Sequence, residues 1–145
     1  MKKLFLGLLI VISSHLDAAC LDAAEYLNDD GTYNLGEMTQ SLQGFLSTKN
    51  AIHPARGLFS SPILIFKEGK CIKGYFFSPV DNEKINKEVT GMTHIQLSIP
   101  SNQMDSFKKN KGNLVSVKGY FSFSYNANHT TQPFLFIVKK INESF

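Results

Sequence analysis

Apolar and polar positions alternate with a period of two through much of the chain, most regularly in LVSVKGYFSFSY, residues 114–125. Val115, Val117, Gly119, Phe121, Phe123 and Tyr125 fall on one side of it, Ser116, Lys118, Tyr120, Ser122 and Ser124 on the other. Successive side chains of a strand point to opposite faces, so this pattern predicts a half-buried strand whose register is well fixed. THIQLSIP, residues 93–100, repeats the pattern with Ile95, Leu97 and Ile99, and MTQSLQGFLS, residues 38–47, does so less strictly around Gly44. PILIFK (62–67) and CIKGYFFSP (71–79) read as two short strands, the first opening and the second closing at a proline. The last run, PFLFIVKKI, is apolar until Lys139, and its opening proline suits a strand start.

One segment has a different period. In SNQMDSFKKNKGN, residues 101–113, Met104 and Phe107 stand three apart, as one face of a helix places them. Ser101 is the expected cap and Gly112 the expected stop. A short helix between the third and fourth strand regions, with Gly119 marking a sharp bend, predicts a mostly β fold. The expected form is a small OB-like barrel of five to six strands with one short helix. A small β-sandwich is the alternative.

The N-terminal pattern changes the account of the chain's ends. Lys2 and Lys3 precede a nine-residue apolar run, Leu4 to Ile12, with small residues at Ala18 and Ala19. This is the layout of a bacterial secretory signal, too short to span a bilayer, so residues 1–19 are set apart and residues 20–145 form one domain. The expected location is the periplasm or the exterior, with no transmembrane segment in the mature chain. Cys20 and Cys71 are the only cysteines. In an oxidising compartment they are expected to pair, although a lipidated Cys20, or two unrelated thiols, stay open on sequence grounds. A lipid and a disulfide at Cys20 exclude one another.

Charge then narrows the function classes. Removing residues 1–19 lowers the formal charge from +3 to +2, too little to predict nucleic acid as a partner. The basic cluster KKNKG, Lys108 to Gly112, reads as a solvated turn. His53, His94 and His129 follow no metal-ligand spacing, and no G-x-S-x-G elbow or phosphate-cradling glycine loop occurs. No cofactor or metal is expected. Asp29, Asp30, Asp81, Glu83 and Glu88 sit in stretches that read as loops and solubilise rather than catalyse. His53 is placed in a turn before Pro54, and His94 at a strand start.

Binding candidates are fewer. The loop NANHTTQ joins the last two strands and offers Asn128, His129, Thr130 and Thr131, and Tyr120 projects from the polar side of its strand. Tyr75, beside Gly74, is a second aromatic of this kind. Aromatic and polar groups at a barrel mouth suit recognition.

Taken together, "PILIFKEGKC", "THIQLSIP" and "LVSVKGYFSFSYNANHTTQPFLFIVKKI" resemble the bacterial secreted family catalogued as domain of unknown function 4431. The resemblance matches Gly44 to a first-strand glycine, Cys20 and Cys71 to a cysteine pair, and Ile95, Gln96 and Leu97 to a middle strand. It matches Val115, Val117 and Gly119 to the start of the final hairpin, and His129 with Thr130 to its loop. The family loop carries several adjacent histidines where this chain keeps one. The resemblance implies the fold and secretion, and no activity.

The sequence therefore predicts a secreted, non-enzymatic binding module for a protein or a cell-envelope component. The alternatives are an inhibitor or immunity protein of an envelope-targeting enzyme, and a small hydrolase with an unrecognised site. Oligomeric state is left open.

Overall fold

A computed structural model describes residues 19–23, 39–53, 55, 57–77, 81, 83–123 and 134–143. In chain order the elements are β1 (Leu21–Asp22), β2 (Gln40–His53), β3 (Gly57–Phe77), β4 (Lys84–Ser98), a 3-10 turn (Ser101–Gln103), α1 (Met104–Asn110), β5 (Leu114–Phe123) and β6 (Phe134–Glu143). β2, β3 and β4 pair antiparallel in succession. β5 then pairs antiparallel with both β2 and β6. A parallel pairing of β4 with β6 closes the ring, and β1 adds to β3 beyond the end of β2.

A three-strand meander, a helix, and a hairpin whose second strand runs parallel to the third is the connectivity of an OB-type barrel. Closure into a ring rules out the two-sheet sandwich. The predicted gaps between strands are less faithful. PILIFK and CIKGYFF (71–77) belong to one strand, β3, and THIQLS (93–98) is only the end of the longer β4. The polar segment between the two predicted strands is a bulge within β3: pairing with β4 jumps from Ile65 opposite His94 to Lys70 opposite Met92, and resumes regularly at Ile72 opposite Val89.

The predicted inward face of β5 is the buried one. Val115, Val117 and Phe121 join Leu42, Leu46, Leu64, Ile95, Phe134 and Phe136 in a single core. The rings of Phe121 and Phe136 meet edge to face, 5.1 Å between centroids, the geometry aromatic quadrupoles favour. Gly119 sits at a register shift between β5 and β6. A Cβ there would strike the Ile137 carbonyl oxygen and stand 2.8 Å from the Phe136 ring. Gly44 is similar: a Cβ would strike the Ile65 carbonyl and the Leu64 side chain. Both glycines let strands approach closely enough to curl, as barrel closure requires.

The helix seals one end of the barrel. Phe107 enters the core and Met104 packs against it, as their spacing predicts. Ser101 does not cap: a 3-10 turn intervenes, and neither helical segment has a side-chain cap bond. Gln103 has a different part, its Oε1 accepting a bond from the Ile141 N–H at 3.0 Å. Gly112 ends the helix with φ +88°, and its N–H donates to the Leu46 carbonyl at 2.8 Å. Among the described residues no helix is long and apolar enough to cross a membrane.

Cys20 and Cys71 form a disulfide, which leaves no thiol at Cys20 for a lipid. With the Ala23 N–H donating to the Lys73 carbonyl at 2.7 Å, it fastens the N-terminal segment along β3.

Candidate functional site

The register of β2, β3 and β4 places three rows of side chains on the outside of the barrel. Partners in antiparallel strands share a face. The first row is Phe45, Ile65 and His94, and the second is Ser47, Ile63 and Gln96. In the third row Lys49 stands opposite Ser61. Phe45 and Ile65 are each 38 % exposed and lie side by side, an exposed apolar spot on a face whose other apolar residue in these rows, Ile63, is buried.

Lys49 spans these rows. Its Nζ lies 3.4 Å from Nε2 of His94, so its path from β2 to β4 crosses over Ile63. Ile63 is buried although it lies outside the core cluster, which the lysine stem above it helps to explain. Thr93 Oγ1 is 3.1 Å from Nδ1 of His94. A neutral imidazole with its proton on Nδ1 satisfies both contacts, donating to the threonine and accepting from the ammonium. Burial first, and then the Lys49 charge, hold the His94 pKa below its usual value of 6.5.

At the edge of this face β3 parts from β4. Their pairing ends at Ile63 and Gln96, while β4 goes on to pair with β6 from Gln96 to Ser98. The parting leaves a groove of about 290 Å³. Phe59, Ser60, Ser61 and Pro62 of β3 form one wall, and Gln96, Leu97 and Ser98 of β4 with Leu135 of β6 form the other. Ser61 is only 5 % exposed, and its Oγ has no hydrogen-bond partner. An unsatisfied buried hydroxyl costs about 1–3 kcal/mol, and such groups are rare.

A second groove, of about 450 Å³, lies beside the disulfide, lined by Asp22, Lys73, Tyr75, Lys87 and Glu88 among others. Lys84 Nζ stands 4.0 Å from the centre of the Tyr75 ring. Cys20, Cys71 and Glu88 bring potential ligand atoms within 4.8 Å of one another. The two sulfurs are bonded to each other, so the trio offers one ionisable ligand. The Glu88 carboxylate, 3.9 Å from Cys71 Sγ, meets a sulfur that has no proton to donate.

The predicted site residues divide. Asn128, His129, Thr130 and Thr131 lie outside the described residues, as do Asp29 and Asp30. Tyr120 is half-buried against the core, with Lys139 Nζ 5.9 Å from its ring centre. His94 is not at a strand start but within β4, and His53 closes β2 rather than lying in a turn. Glu88 is on β4 and not in a loop, because the β3–β4 ribbon extends as far as Phe77 and Lys84. Asp81 and Glu83 do occupy the turn beyond it, the Glu83 N–H donating to Asp81 Oδ1 at 3.2 Å. No sequence motif singles out Phe45, Lys49 or Ser61. Their signal is positional: each sits at the outward parity of a strand whose inward parity is apolar.

No protein-family model and no curated protein matches the chain. Among solved structures it is similar to a Plasmodium falciparum SSB in complex with ssDNA, at 15 % identity over 74 % of this chain and 94 % of that one, with a TM-score of 0.36. The barrel assignment rests on strand order and pairing alone.

Proposed function

We propose that this chain is a secreted, non-enzymatic binding module that recognises a protein or a cell-envelope component through the outer face of β2, β3 and β4. The observation that carries the reading is the exposed pair Phe45 and Ile65 on that face, next to His94 and the Lys49 ammonium. An apolar spot ringed by polar groups suits recognition, and the faces of OB-type barrels bind extended polymers. A disulfide fits the oxidising compartment that the signal-like first 19 residues imply. Membership of the domain-of-unknown-function family 4431 is part of the same proposal. Gly44, the Cys20–Cys71 pair and Gly119 each serve the barrel at the positions the resemblance assigns them.

A hydrolase would want a histidine oriented by a carboxylate. His94 instead meets a threonine hydroxyl and an ammonium, the latter keeping it from gaining a proton. Ser61 has no base within hydrogen-bond reach. An inhibitor of an envelope-targeting enzyme is a special case of the binding reading.

The test is retention of the mature chain, disulfide intact, on isolated cell-wall and envelope-protein fractions. Wild type is retained, and a variant carrying Phe45→Ser and Ile65→Ser is not. Release of a cleaved product at a rate abolished by His94→Gln would establish an enzyme instead.

A further inference from the structure

We infer that the groove at the parting of β3 from β4 binds an uncharged saccharide. The inference rests on the binding-module reading and names the ligand chemistry of one edge of that face. Ser60, Ser61, Ser98 and Gln96 supply its polar groups, Phe59 and Leu135 much of its apolar surface, and among the described residues no lining side chain carries a formal charge. Lys49 is the cation nearest in register, across from Ser61, but its ammonium is turned to His94.

Serine hydroxyls and a glutamine amide each donate and accept hydrogen bonds, as do the hydroxyl and acetamido groups of sugars. Among the described lining residues an anion would find no countercharge, and a cation no carboxylate. Ser61 adds an independent indication. Its hydroxyl is nine-tenths buried, unpartnered, and part of the groove wall, so a ligand hydroxyl or carbonyl satisfies a group the protein leaves unsatisfied. A volume of about 290 Å³ lies at the lower end for small-molecule sites and suits one or two sugar rings.

An added peptide strand is the competing occupant. It would pair with the edge of β3 where the pairing with β4 has ended, and there Pro62 has no N–H to offer. A proline within a paired strand turns its donorless nitrogen to the unpaired side, so the ladder would be interrupted at the groove.

The experiment is amide chemical-shift mapping of the mature chain with three probes: N,N′-diacetylchitobiose, maltose and digalacturonate. Saturable shifts at Ser60, Ser61, Gln96 and Ser98 are expected with one or both neutral sugars, and none with the anion. A response to chitobiose alone assigns an acetamido ligand, and a response to maltose a hydroxyl-only one. Ser61→Ala removes an unsatisfied group, so it melts no lower than wild type, yet it weakens binding roughly tenfold. Neutral sugars that leave these amides unmoved, preferred binding of digalacturonate, or wild-type affinity in folded Ser61→Ala would each overturn the inference. Adding the envelope-protein fraction separates the two readings. If sugars fail but Phe45 and Ile65 respond to that fraction, or an extended peptide from it fills the groove, the saccharide is wrong and the module reading stands. If neither sugars nor envelope fractions move any amide of the face, both fall.

Discussion

Lys49 on β2 holds its ammonium nitrogen 3.4 Å from Nε2 of His94 on β4, reaching across the whole width of β3 to do so. The contact ties together the two strands that flank the middle of the proposed binding face. It also sets the charge of that face, because an imidazole that accepts from an ammonium stays neutral.

The histidine provides the first prediction. Its folded pKa lies below 6.5 and its unfolded value near 6.5. As pH falls through 6.5 the unfolded chain takes up the proton first, so stability declines until the folded pKa is passed and then levels off. An NMR titration of the His94 ring is expected to give a midpoint under 6.5. Lys49→Met should move it upward, since burial then acts without the neighbouring charge. An unchanged midpoint in that variant would mean that the two groups do not interact in solution.

The disulfide provides the second. It joins residues 51 apart in sequence, and the chain-entropy model assigns such a closure about 4 kcal/mol. Replacing Cys20 and Cys71 together by serine should therefore lower unfolding stability by about 2–4 kcal/mol in urea titrations. Reductant should do the same to wild type and nothing to the double variant.

Barrel closure is tested at Gly119. An alanine there would force its Cβ into the Ile137 carbonyl and the Phe136 ring, which belongs to the edge-to-face pair with Phe121. Overpacking of this kind costs about 1–3 kcal/mol, and here backbone, not a flexible side chain, must give way. Calorimetric melting should place Gly119→Ala well below wild type. Phe121→Ala, which opens a cavity in the same place, should lose about 3–5 kcal/mol.

The partly exposed apolar pair behaves oppositely. Phe45→Ser with Ile65→Ser removes two side chains that lie outside the core cluster but are partly covered, so the melting temperature should fall less than in Phe121→Ala while envelope retention disappears. A large drop in melting temperature would place the pair in the structural rather than the recognition surface.

Much of this fold is legible in the alternation of β5, where one face is buried and the other is not, so parity and burial coincide from Val115 to Phe121. Glycines at 44 and 119 mark the sharp bends for the same reason, since a side chain there would meet a neighbouring strand. The length of β3 is hidden, because Lys67 to Lys70 are exposed and polar and resemble a turn. The pairing with β4 on either side of them, at Ile65 and from Lys70 onward, carries one strand through the bulge they form, and its partners are distant in sequence. The same holds for the first half of β4. The site is less legible still: Lys49, Ser61 and His94 come from three strands, and no spacing along the chain announces that register will bring them to one face. The segment around His129 stands out along the chain because it concentrates polar groups locally, which a face assembled across strands does not.

The most direct test of the binding face is hydrogen exchange of the mature chain with and without a retained envelope component. The account predicts slowed exchange along β2, β3 and β4 around Phe45, Ser61, Ile65 and His94, with the rest of the barrel unchanged. Protection confined to the groove beside Tyr75 and the disulfide, or turnover of the component without lasting protection, would contradict it.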